Sequence, residues 1–110
     1  MTDTRQVLEE AWDTIARANG LAWATAHAGK FARFLDAEAW TDAALMLIDK
    51  SRWRILSLHE TEVEGAPPFE IRLGQRDANF GRAKVRYGTG ETEALALTQA
   101  ALRAKEAGDV

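Results

Sequence analysis

Phe69-Glu70-Ile71-Arg72-Leu73 decides the fold, because three apolar side chains are separated there by single charged ones. Successive side chains of an extended chain point to opposite faces, so this rhythm predicts a half-buried antiparallel strand and does not fit the 3.6-residue period of a helix. Just upstream, Trp53 and Ile55 alternate with Arg54, while Leu56 and Leu58 add apolar side chains in both phases. That pattern predicts a strand from about residue 52 covered on both faces, and therefore the central one. Between the two lies a charged loop at residues 60–68, with Pro67-Pro68 favouring an extended entry to the next strand. Downstream, residues 74–81 carry Asp77, Asn79 and two glycines and read as a turn or a mobile loop, after which Ala83, Val85 and Tyr87 alternate with Arg82, Lys84 and Arg86 as a third strand.

Helical periods flank this core. Asp3 followed by Gln6 resembles a capping box, and Val7, Leu8, Ala11, Trp12 and Ile15 give a first helix over about 4–18, closed by Asn19-Gly20. Leu21, Ala24, Ala28, Phe31 and Leu35 form the stripe of a second helix over about 21–35, weakened at Gly29. Asp36 to Trp40 reads as a bend, and Thr41 as the N-cap of a short helix whose Ala43, Ala44, Leu47 and Ile48 face inward. A last helix opens at the cap Thr92, has Glu93 in its first turn, and turns Ala94, Leu95, Leu97, Ala101 and Leu102 inward. The order α-α-α-β-β-β-α defines an α+β fold: a three-stranded antiparallel sheet packed with helices. One domain over 1–110 is expected, with a helical N-terminal region at 1–37 and an α-β-β-β-α core at 38–107.

The 110 residues suit one domain, and 46% hydrophobic with 28% charged residues is the composition of a globular chain rather than a disordered one. With no cysteine, disulfides, zinc ribbons and thiol nucleophiles are excluded by inventory. No run approaches the ~20 apolar residues of a membrane span, and Met1-Thr2-Asp3-Thr4-Arg5 lacks the basic start of a signal peptide, so a cytoplasmic protein is expected. Net charge is −3, with a mildly basic middle between acidic flanks. A protein living on phosphate contacts needs a larger basic excess, which places nucleic acid low among the expected partners.

Ala39-Trp40-Thr41-Asp42-Ala43-Ala44-Leu45-Met46-Leu47-Ile48, the strand opening at Trp53, and Thr92-Glu93-Ala94-Leu95-Ala96-Leu97 with Ala100-Ala101-Leu102-Arg103-Ala104 resemble the phage ABA-sandwich family, small proteins of phages and prophages. The resemblance spans roughly residues 38–107 and is strongest in the final helix. It implies a phage accessory protein working in the cytoplasm of a bacterial host, and it brings no settled activity. The α-β-β-β-α order is also similar to the double-stranded RNA-binding domain, which needs basic residues where its last helix begins. Glu91, Thr92 and Glu93 stand there and would repel phosphate.

Each candidate site has a plainer counterpart. His27 and His59 fall on different elements without metal-ligand spacing and read as surface polar residues. Asp36, Glu38 and Asp42 read as helix-start charges rather than an acid–base pair. Gly88-Thr89-Gly90 lacks a phosphate-loop fingerprint and reads as a tight strand-to-helix turn. Trp12, Trp40 and Trp53 are in phase with the core, whereas Trp23 lies off the helical stripe and is the best candidate for an exposed partner or dimer contact. If the strands form a meander, Arg54, Arg72, Arg82, Lys84 and Arg86 gather on one polar face or rim, against the simpler reading of a solvated mixed-charge face. No nucleophile–base set and no cofactor fingerprint is found, so neither catalysis nor a cofactor is expected. Binding to another protein, a host or defence factor, is the leading expectation; nucleic-acid binding by a basic sheet face is its rival, and a homo-oligomer would cover the open strand edges.

Overall fold

In the computed structural model of the chain, residues 3–50, 52–75 and 85–106 are described. They form α1 (Thr4–Asn19), α2 (Leu21–Asp36), α3 (Trp40–Met46), β1 (Trp53–Glu60), β2 (Phe69–Gln75), β3 (Val85–Gly90) and α4 (Glu93–Glu106). The expected α-α-α-β-β-β-α order is present. The turn expected at 74–81 and the first part of the third expected strand, including Arg82, Ala83 and Lys84, lie mostly outside the described residues, and β2 itself runs on through Gly74 and Gln75.

Local chemistry sets the helix ends. The Asp3 carboxylate accepts from Gln6 N–H at 3.2 Å, capping α1 as its sequence indicates. Gly20 alone joins α1 to α2, at φ +98°, a conformation that only glycine adopts freely. α2 then runs unbroken through Gly29. Thr41 is not the cap of α3. The chain turns at Glu38, with φ 56°, and Ala39 N–H donates to Phe34 O at 2.8 Å, so the helix starts two residues earlier and Ala39 holds the cap position without a side-chain bond. At α4 the Thr92 hydroxyl accepts from Leu95 N–H at 3.2 Å, as expected.

The sheet is an antiparallel meander in the order β1-β2-β3, so the central strand is β2 and not β1. Ile71 and Leu73 are fully buried while Glu70 and Arg72 face away, as their alternation predicts. The apolar residues in both phases of β1 have another cause than two-sided burial. Leu56 is an extra residue in the ladder, a bulge between Ile55, paired with Leu73, and Ser57, paired with Arg72. Such a bulge resets the alternation, so Ile55 and Leu58 share the inner face. Among the described residues, beyond the buried Trp53, the β1 part of that face is left open, with Ile55 and Leu58 exposed: α4 packs over β3 and β2, and α1 and α3 pack on α4.

β3 has the opposite phase to the one its sequence suggests. Arg86 pairs with Leu73 and Gly88 with Ile71, which places Arg86, Gly88 and Gly90 on the inner face and Tyr87, 45% exposed, on the outer. The reason is the closeness of α4. A Cβ on Gly88 would lie 2.5 Å from Ala100 N and 2.8 Å from Ala100 Cβ, and would overlap the Ala96 carbonyl oxygen. Only a strand without side chains at these positions admits the alanine-rich helix at that distance. α4 is in turn buried on several sides: Ala94, Ala96, Leu97, Thr98, Ala100, Ala101 and Ala104 all join the core, and the Thr98 hydroxyl is satisfied by Ala94 O at 2.7 Å.

Candidate functional site

Two surfaces carry the residues that sequence reasoning singled out. The first is the outer face of the sheet, on which Arg54 and Arg72 are exposed. Glu70 lies between its neighbours there, its Oε1 3.2 Å from Arg72 Nε and 3.4 Å from His59 Nε2. The Arg72 guanidinium also sits 5.5 Å from the Tyr87 ring centroid. Arg86 leaves this group: it lies on the inner face, its guanidinium 6.0 Å from the buried Trp53 ring, with Nη1 donating to Val85 O. Arg82 and Lys84 lie outside the described residues. The described part of the basic set is therefore a pair of arginines on one face, partly neutralised by Glu70, and a third on the other face.

The second surface surrounds Trp23. The stripe of α2 is rotated from the expected one: Leu21 is 83% exposed and Ala28 is exposed, while Trp23 is half-buried. Ring stacking accounts for the rotation. Phe31 stacks on Trp12 at 4.5 Å and 20°, Trp12 meets Trp23 at 5.0 Å, and Trp23 meets His27 at 4.9 Å. Each such pair contributes roughly 0.5–1.5 kcal/mol beyond buried area, more than a leucine at the first turn of a helix gains from a shallow contact.

Beside these rings a groove of about 590 Å³ opens between α2 and α3, bounded also by the end of α1. Trp23, His27, Lys30 and Phe34 line it from α2 at spacings of four, three and four, the repeat of one helix face. Asp42, Leu45 and Met46 face them from α3, followed by Asp49 and Lys50. Trp23, Phe34, Leu45 and Met46 pack against the core with part of their surface left open. The rim carries both signs: Lys30 and Lys50 against Asp42 and Asp49, the last 3.6 Å from Arg52 Nε. Sequence reading took His27 as a surface polar residue and missed the groove. Its one available signal was the eleven-residue step from Trp23 to Phe34, three helical turns on one face.

The remaining candidates are accounted for structurally. Asp36 does not cap a helix; its carboxylate holds Arg5 Nη2 at 3.2 Å. Arg5 is shared with Glu9, and hydrogen bonds to Glu9 and then Asp36 hold its pKa above the ordinary arginine value. Asp42 lies in the first turn of α3. Gly88, Thr89 and Gly90 belong to β3 rather than to a turn, and the Thr89 N–H donates to Gln99 Oε1 of α4 at 2.7 Å. Among the described residues no three His, Asp or Glu side chains converge where a metal ion would be held, and no helix is long and apolar enough to cross a membrane. Comparison of the chain with protein-family models, with curated proteins and with solved structures finds no match.

Proposed function

We propose that the protein is a non-catalytic binding module that takes a segment of another protein into the groove between α2 and α3. The observation that carries this reading is the groove itself, where Trp23, Phe34, Leu45 and Met46 are brought together and left only part-covered. Its volume falls within the roughly 300–1,000 Å³ of specific ligand sites. Rings and a thioether on the floor with charges of both signs on the rim suit the apolar face of a partner helix, whose anchors recur every three or four residues, better than they suit a polyanion. The resemblance of residues 38–107 to the phage ABA-sandwich family supports the wider proposal: an accessory protein of a phage or prophage, acting on a host or defence factor in the bacterial cytoplasm.

Nucleic-acid binding through the outer sheet face has less support, since Glu70 engages Arg72 and Arg86 faces the other way. Affinity capture from host lysate separates the two. The groove reading predicts a defined protein retained by the wild type and by the Arg54→Glu/Arg72→Glu variant, and lost with Met46→Lys. Loss with the arginine variant but not with Met46→Lys, or retention of nucleic acid that salt releases, would overturn it.

A further inference from the structure

We propose that the protein self-associates through β1, two copies pairing antiparallel about the Leu56 bulge so that their sheets join into one of six strands. The two edges of the sheet are treated differently. The β3 edge is occupied by its own helix: Gln99 accepts from Thr89 N–H at 2.7 Å, and Arg103 Nη1, one turn further along α4, donates to Tyr87 O at 3.0 Å. β1 is the other edge, and beyond Trp53, which is buried in the core, α4 packs on β2 and β3 rather than on it. Its apolar side chains are the surface left over, with Ile55 and Leu56 45% exposed and Leu58 39% exposed. They lie at the middle of the strand, while Arg54, His59 and Glu60 lie toward its ends.

The bulge makes this pattern self-complementary. Because Leu56 adds a residue without adding a rung, β1 meets β2 along seven rungs, and the bulge is the fourth. A two-fold axis through that rung sets Ile55 opposite Leu58 of the second copy and Arg54 opposite its His59. Ile55 and Leu58 are both inner residues, and Arg54 and His59 both outer ones, so every pair meets on a common face. In a regular strand, residues three apart point to opposite faces, and no two-fold pairing would bring Ile55 and Leu58 together. Here the axis gathers Ile55 and Leu58 from both copies into one apolar cluster on the inner face, while Leu56, whose side chain lies over Gly74, sits beside the axis on the outer face. The arriving Arg54 lands beside His59, whose Nε2 is 3.4 Å from Glu70 Oε1, so the nearest acid lies one strand further along the same rung. A bulge commonly guards an edge by bending it. Placed on the symmetry axis it bends both copies alike, and an isologous contact needs only that. No β1 residue lines the α2–α3 groove, so a dimer carries two grooves.

Sedimentation across the micromolar range should show a monomer–dimer equilibrium. Leu58→Lys puts an unpaired charge into the paired face and should raise the dissociation constant at least about tenfold, with the melting transition of the monomer retained because the side chain is part-exposed. The chain has no cysteine, so Ile55→Cys and Leu58→Cys variants report the register directly. Mixed and oxidised, they should form a disulfide-linked heterodimer, whereas each alone should stay largely unlinked. A monomer at every concentration overturns the proposal. So does a dimer that survives Leu58→Lys, or one that gives no mixed disulfide.

Discussion

Replacing Gly88 and Gly29 by alanine, one at a time, applies the same chemical change to two sites where the structure demands opposite results. At Gly88 the added carbon meets Ala100 N at 2.5 Å and overlaps the Ala96 carbonyl, and both are helix backbone atoms that cannot swing aside as a flexible side chain would. α4 must lift from β3, which places the cost near the upper end of the roughly 1–3 kcal/mol of overpacking. The shortened freedom of the unfolded chain returns about 0.4–1 kcal/mol. A net loss of about 2–2.5 kcal/mol remains, large against a total stability of roughly 5–15 kcal/mol. At Gly29, inside α2, nothing lies within 4 Å of the added carbon, and alanine should stabilise by about 1 kcal/mol. With an unfolding entropy near 2.1 cal/mol/K per residue, these changes correspond to a fall of about 10 °C for Gly88→Ala and a rise of about 4 °C for Gly29→Ala. Thermal melts followed by far-UV circular dichroism read both. If Gly88→Ala melts with or above the wild type, the close seating of α4 on β3 is wrong, and with it the placement of Arg86 and Tyr87.

Three further changes test other joints. Thr92→Ala removes the hydroxyl that caps α4 and should cost about 1 kcal/mol in urea unfolding, with Thr92→Ser restoring most of it. Gly20→Ala forces a side chain into φ +98° at the only residue between α1 and α2, and should destabilise by roughly 1–2 kcal/mol although the site is sterically open. Trp23→Ala removes the ring contacts with Trp12 and His27 and should cost about 2 kcal/mol by the same assay, whereas Leu21→Ala, at an 83% exposed position, should shift the midpoint by less than about 0.5 kcal/mol.

The sequence made some of this architecture legible and hid the rest for definable reasons. Asp3 and Thr92 announced their helices because a cap is a local bond between near neighbours. Phe69, Ile71 and Leu73 announced β2 because every inner position carries a large side chain. β3 misled because its inner positions after Arg86 are glycines, so alternation was read from Val85 and Tyr87, which face outward. β1 misled because an extra residue in the ladder places apolar side chains in both phases, the same pattern that two-sided burial would leave. On α2, Leu21 and Trp23 lie in different phases, and the contact of Trp23 with Trp12, a tertiary event, decided between them. Of the residues proposed for partner binding, Trp23 lines the groove and Arg54 and Arg72 share a face; the groove itself needed α3 folded against α2 before it existed.

Site-specific photo-crosslinking tests most directly whether the working surface is the helical groove or the open sheet. A photoreactive phenylalanine derivative is placed at Lys30 on the groove rim or at Arg72 on the outer sheet face, and each protein is irradiated in host lysate. The account predicts a discrete adduct with a second protein from position 30 and none from position 72. An adduct from position 72 with none from position 30 would contradict it.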